Sequence, residues 1–433
     1  MIDIRLVRDD RDAVKTALAR RGVDPAEVDR LAEADEAHRA ALRHQESLRA
    51  DVKSLSRQVA EAKRAQDDGE AARLTEESRA VGEAERAAAA TAGQAGDQVR
   101  EMLLYLPNLP ADEAPDGEGP EDNVEVGRWW PGKDDGRPEP EFGPHQQVPH
   151  WEVGEQLGLL DMERGARLSG SMFPLYRRAG ARLLRALSAF ALDRHADAYE
   201  EIRPPTLVLT ETMVSTGHLP KFADEAYHME RDDLWAIPTA EVPLTSLHRG
   251  EILDEAVLPL RYTAATACYR REAGAAGRET RGLLRVHEFD KVELFAYATP
   301  EQAPDVHADI LERAESLLQE LGLGYRVLDL CAGDLSGSSA RTFDLEVYAP
   351  GSAQWLEVSS VSWFRDYQAR RAGVRYRPTG GGSPVFVHTL NGSALAWARI
   401  WAAIVETSRQ PDGSLRLPEC LSPNLGGELV VKG

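Results

Sequence analysis

The sequence predicts an α+β protein in which an N-terminal antiparallel α-helical coiled-coil arm precedes an antiparallel β-sheet domain flanked by helices. Three observations predict it. Residues 27–104 are rich in Ala, Glu, Arg and Gln and hold no proline; residues 111–141 are acidic and rich in Pro and Gly; from residue 151 onwards, strand-like runs follow one another with few helices between them. The 433 residues suffice for about three domains. The expected division is 1–110, 111–150 as a linker, and 151–433.

The arm comes first. Positions 31, 34, 38, 41, 45, 48, 52, 55, 59 and 62 hold Leu31, Ala34, His38, Ala41, Gln45, Leu48, Val52, Leu55, Val59 and Ala62, the alternating 3,4 step of a heptad seam. His38 and Gln45 weaken one end of it. Asp67, Asp68 and Gly69 interrupt the pattern, which resumes through Leu74, Val81, Ala84, Ala88, Val99 and Leu103. A helix out, a tight turn and a helix back follow. From Arg39 to Gln66 there are seven basic and three acidic residues, so the outbound helix is positive. Such a rod suits a phosphate backbone.

The 111–141 stretch has eleven acidic and three basic residues and reads as a linker, with Trp129 and Trp130 as anchors onto the following domain. Residues 179–196 form an amphipathic helix, followed by the extended EEIRPPTLVLT, whose Pro204 and Pro205 argue for an edge position. Strands are expected at RYTAATACYR, LLRVHEFDKVELFAYA, YRVLDLC, ARTFDLEVYAP and QWLEVSSVSW.

The net charge of −21 excludes a protein that is basic all over. Cys268, Cys331 and Cys420 stand far apart, without CxxC or Cys/His ligand spacing, which fits a reducing compartment and no zinc. MIDIRLVRDD lacks the apolar run of a signal peptide, and no stretch is apolar enough to span a membrane, so the expected location is the cytoplasm. There is no P-loop, no GxGxxG after a strand, no GxSxG and no HExxH. Two islands break the acidic background: Arg261–His287 and Arg365–Arg377 each carry a net +4. Arginines fixed on strands present forks that match phosphate oxygens.

These residues carry a resemblance. TRGLLRVHEFDKVELF, preceded by CYRREAGAAGRE, resembles motif 2 of class II aminoacyl-tRNA synthetases. PTAEVPLT, HLPKF, TFDLEVY, LEVSS, DYQARR and VHTLNGSALAWAR resemble, in order, bacterial-type seryl-tRNA synthetases. With the arm, nearly the whole chain is covered. The chain departs from the family pattern at Val361–Arg365 and at Ala394, Trp397 and Ala398.

The resemblance implies a class II catalytic sheet and a serine–tRNA ligase that uses ATP and Mg2+. It would charge tRNA(Ser), and tRNA(Sec) where present, as a homodimer built through the 179–196 helix. Arg270, Glu357 and Arg399 would be catalytic. Serine would be bound by Thr239, Ala240, Glu241, Arg270, Glu293, Asn391 and Ser393. ATP would be bound by Arg270, Arg271, Glu272, Val286, Phe289, Glu357, Val358, Ser359, Ser360 and Arg399, with Glu357 and Ser360 holding Mg2+. Two alternatives are a specialised paralogue with a biosynthetic or resistance role, and a ligase loading amino acids onto a carrier protein.

Overall fold

The computed structural model describes residues 1–132, 140–274 and 281–433. Residues 133–139 of the acidic stretch and 275–280 of the arginine-rich 261–287 segment, Arg278 among them, lie outside the described residues. The chain divides into two compact units, Ile2–Pro107 and Asn108–Gly433 with Met1.

The first unit is dominated by two antiparallel helices. Helix α1 spans Pro25–Arg64, started by Asp24, whose carboxylate accepts from the Ala26 N–H at 2.9 Å, and by Pro25 in the first turn. Helix α2 spans Asp68–Tyr105 and is capped by Asp67, which accepts from the Glu70 N–H at 3.0 Å. Every seam position from Leu31 to Ala62 is buried or half-buried, and between Glu36 and Glu61 every other position except Ser54 is exposed. The heptad reading of α1 therefore describes its packed face.

Helix α2 differs at one position. Ala84 is exposed, and Glu85 takes the seam place. Glu85 accepts a hydrogen bond from Gln45 at 3.4 Å. His38 is accommodated because Gly96 faces it: a Cβ there would lie 3.0 Å from Nε2. Alanine has no strong preference for either face, so the alternation alone pointed to Ala84. Arg43, Arg49, Lys53, Arg57, Lys63 and Arg64 are all exposed and form no ion pair among the described residues.

The second unit is built on an eight-stranded sheet. Its strands are β1 (Val124–Trp129), β2 (Glu200–Glu201), β3 (Leu260–Tyr269), β4 (Glu288–Ala298), β5 (Tyr325–Asp329), β6 (Arg341–Ala349), β7 (Gln354–Trp363) and β8 (His388–Ala396), in the order β1-β5-β6-β7-β8-β4-β3-β2. Every pairing is antiparallel except β2 with β3.

Two expected strands are shorter than their sequence runs. Pro204 and Pro205, which lack the N–H a ladder needs, separate β2 from Leu207–Leu209, which joins a different three-stranded sheet. In LLRVHEFDKVELFAYA the strand begins only at Glu288; Leu283 and Leu284 are buried in the turn before it. Within the acidic stretch, Val124–Trp129 is an edge strand. Trp129 stacks on Tyr325, and Trp130 packs among Phe142, Tyr348 and Trp355.

Strand β4 shows how the sheet is covered on both faces. Val292, Leu294, Ala296 and Ala298 enter the larger core with helices α3 (Ala179–His195), α5 (Ala303–Glu320) and α7 (Trp397–Thr407). Phe295 and Tyr297 point the other way, into a second core with Ala240, Leu244 and Ala369. That second face carries the short helices α4 (Glu241–Thr245) and α6 (Tyr367–Ala372). Gly392 on β8 lets α5 approach closely, since a Cβ there would lie 2.3 Å from Ile310 Cγ2.

Candidate active site

A cleft of about 300 Å³ opens where β3, β4, β7 and β8 converge on the start of α7. One end is a buried polar network. Glu293, 0 % exposed, points to the same face as Phe295 and accepts from Thr239 Oγ1 at 2.9 Å. Asn391 Nδ2 donates to both Glu241 Oε2 and Glu293 Oε1 at 3.0 Å, and Asn391 Oδ1 is buried without a partner. Lys291, two residues before Glu293 on the same face of β4, forms an ion pair with it.

Glu241 opens α4, and its other oxygen accepts from Gln368 Nε2 on α6 at 2.6 Å. Burial raises its pKa to about 7; the Glu293 carboxylate pushes the same way, and the Gln368 bond opposes both. An orphaned acceptor and two carboxylates, one of them paired with Lys291, can receive a small ammonium compound with a hydroxyl to share.

The other end of the cleft carries Arg270 and Arg399. Arg270 lies just past β3, its N–H bonded to the His287 carbonyl at 2.9 Å and its guanidinium 5.2 Å from the centre of the Phe289 ring. Arg399, in the first turn of α7, donates Nε to the Leu284 carbonyl at 3.2 Å and Nη1 to the Glu357 carbonyl at 2.7 Å. Glu272 has φ of +51° and pairs with Arg285.

On β7 a bulge explains how Glu357 and Ser360 both reach the cleft. Leu345 pairs with Ser359 while the next residue, Glu346, pairs with Glu357, so Val358 is an extra residue in the ladder. Without it the two side chains, three positions apart, would point to opposite faces. Nearby, Asp344 faces Ser360 across the ladder and has one buried oxygen without a partner. Burial, then the Glu357 charge, hold its carboxyl well above the usual range. Hard oxygens with a surplus of negative charge fit Mg2+, which takes one or two carboxylates and completes its shell with phosphates and water. Among the described residues no cluster of three or more His, Cys, Asp or Glu side chains is arranged to hold a metal unaided.

The sequence-derived residues are thus largely brought together. Thr239, Glu241, Arg270, Glu272, Val286 and Phe289 line the cleft, as do Glu357, Val358, Ser359 and Ser360, and Asn391, Ser393 and Arg399. Three stand apart from its lining. Ala240 is fully buried in the second core. Arg271 is exposed, its backbone N–H bonded to the Glu225 carbonyl at 2.9 Å. Glu293 lies outside the lining and contacts Thr239, Asn391 and Lys291.

Trp397 is 0 % exposed within the larger core, so its bulk does not enter the cleft, whereas Ala398 lines it. Sequence reading missed His218, Lys291, Gln368 and Ser336–Ser338. HLPKF and DYQARR pointed at two of them, but only tertiary packing aims their side chains at the site.

The fold and the site define the class: residues 224–408 match the tRNA synthetase class II core domain (G, H, P, S and T). Residues 1–110 match the Seryl-tRNA synthetase N-terminal domain. The chain is 48% identical to the serine–tRNA ligase of Gemmatimonas aurantiaca over 100% of both chains, and 44% identical to that of Geobacillus kaustophilus over 100% of both. A crystal structure of seryl-tRNA synthetase from Pyrococcus horikoshii complexed with ATP superposes with a TM-score of 0.91 at 33% identity, covering 100% of this chain and 99% of that one. The chain belongs to the seryl-tRNA synthetase family.

Proposed function

We propose that this chain activates L-serine with ATP to seryl-adenylate and transfers the serine to the 3′ end of tRNA(Ser). The observation that carries this is the buried Thr239–Glu293–Asn391–Glu241 network at one end of a cleft whose other end presents Arg270 and Arg399. An alanine would leave its hydroxyl-directed groups unpaired.

A serine carboxylate is ionised at neutral pH, so the first step needs no general base. A carboxylate oxygen bonds the α-phosphorus, the bond to the bridging oxygen breaks, and pyrophosphate leaves with the electron pair. Arg270 holds the carboxylate and the α-phosphate together and offsets the charge that builds on phosphorus. Arg399 holds the γ-phosphate. Phe289 supplies an adenine platform, and Glu272 accepts from the adenine amino group after exchanging its Arg285 partner. Glu357 and Ser360 would hold Mg2+, which would neutralise phosphate charge.

The arm is read as the tRNA-gripping element, its six exposed, unpaired cations supplying phosphate contacts. That arm disfavours a carrier-protein ligase. A homodimer fits Leu207 and Leu209, 45% and 50% exposed just beyond the first helix–strand element. Among the described residues no helix is long and apolar enough to cross a membrane, and three free cysteines fit the cytoplasm. Charging unfractionated tRNA with labelled serine tests the reading: serine is expected to be esterified to tRNA(Ser), and a failure to charge any tRNA would contradict it.

A further inference from the structure

Gly217 and His218 line the cleft, as do Ser336–Ser338, and a Cβ on Gly217 would lie 3.5 Å from Ser338 Cβ. The activation step leaves His218 unused. Its ring is nevertheless fixed: Nδ1 lies 2.7 Å from Thr216 Oγ1, and that hydroxyl donates to the Met213 carbonyl at 3.1 Å. A hydroxyl has one proton. With that proton on Met213, Oγ1 accepts from Nδ1–H, and the lone pair of the neutral imidazole is left on Nε2.

Nε2 has no hydrogen-bond partner among the described residues, and His218 lines the cleft. Burial, with Arg270, Lys291 and Arg371 as cationic neighbours, lowers the His218 pKa to about 4. Its ring therefore stays an acceptor at neutral pH. Those same cations disfavour an ammonium beside it, so its natural partner is a neutral hydroxyl.

Resting on the reading above, the amino acid, adenine and phosphates each have a place, and the nucleophilic hydroxyl does not. We propose that His218 Nε2 accepts a hydrogen bond from a hydroxyl of the terminal tRNA ribose and orients that ribose for attack on seryl-adenylate. In that step the ribose oxygen bonds the serine carbonyl carbon and the carbonyl–phosphate C–O bond breaks. AMP leaves with the electron pair, and the hydroxyl proton departs on its phosphate. His218 orients and does not take the proton.

The test separates transfer from activation. Enzyme-bound seryl-adenylate is mixed with excess tRNA(Ser) and quenched rapidly, beside serine-dependent pyrophosphate exchange on the same preparations. His218→Ala is expected to slow transfer about tenfold or more beyond any effect on exchange. His218→Gln, which keeps a carbonyl acceptor, recovers most of the loss. Thr216→Val, which frees Nδ1, shows the same split to a smaller extent and serves if the alanine variant does not fold. Equal losses in transfer and exchange, or undiminished transfer in His218→Ala, would overturn the proposal. Wild-type enzyme without serine-dependent exchange would overturn the underlying reading instead.

Discussion

Gln368 and Glu241 come from helices on the same face of the sheet and meet through a 2.6 Å hydrogen bond with both side chains buried. Thr389 donates to Gln368 Oε1 at 2.7 Å, and Gln368 Nε2 also reaches the Thr216 carbonyl at 3.3 Å. The amide is therefore fixed in its orientation, and it fixes Glu241. Replacing Gln368 by Leu removes a hydrogen bond to a carboxylate, about 1–3 kcal/mol, which corresponds to a roughly 5- to 150-fold higher KM for serine. The KM for ATP should move little. Exchange kinetics with each substrate varied in turn measure both.

The raised pKa of Glu241, about 7, sets a pH dependence. As pH falls through that value the carboxyl gains a proton and loses the charge that would hold the serine ammonium. The KM for serine should therefore rise as pH is lowered from about 8 to about 6. Glu241→Gln should bind serine weakly throughout and abolish the slope. A serine KM in the wild type that is flat over this range would contradict the assignment.

Acid stability follows from histidines that do not line the cleft. His195, His307 and His388 are each lowered to about 4, chiefly by burial. The unfolded chain takes up protons near the ordinary value of about 6.5, whereas the folded state resists them down to about 4. Stability should therefore be full above about 6.5 and fall as pH drops through that window. His195, whose two ring nitrogens are buried and unpartnered, is the strongest case. Urea denaturation at about pH 7 and pH 5 should show a smaller loss for His195→Phe than for the wild type.

The arm should act on tRNA alone. Exchanging Arg43, Arg49, Lys53 and Arg57 for Gln should raise the KM for tRNA and make its salt dependence shallower by roughly one unit of log–log slope per lost phosphate contact. Serine-dependent exchange should be preserved. An equal loss of exchange and charging would make the arm a folding element.

Much of this was legible in the chain because the signals are local. The α1 seam is a periodicity, and Arg270, Glu357 and Asn391 sit in contiguous motifs. What was not legible depends on register and packing. Glu357 and Ser360 share a face only because Val358 is bulged, and a bulge is set by the partner strand. Ala84 and Glu85 could not be ordered by periodicity alone, because the choice rests on Gln45 across the pair. Gln368 and His218 lie 150 residues apart in sequence and meet the site only once α6 and the Thr216 turn have packed.

Serine activation at this cleft is decided by pyrophosphate exchange into ATP, run with each of the twenty amino acids on the wild type and on Arg270→Ala. Exchange is expected with serine, little with alanine or threonine, and none with any amino acid once Arg270 is removed. Exchange supported by a different amino acid, or unimpaired by Arg270→Ala, would contradict it.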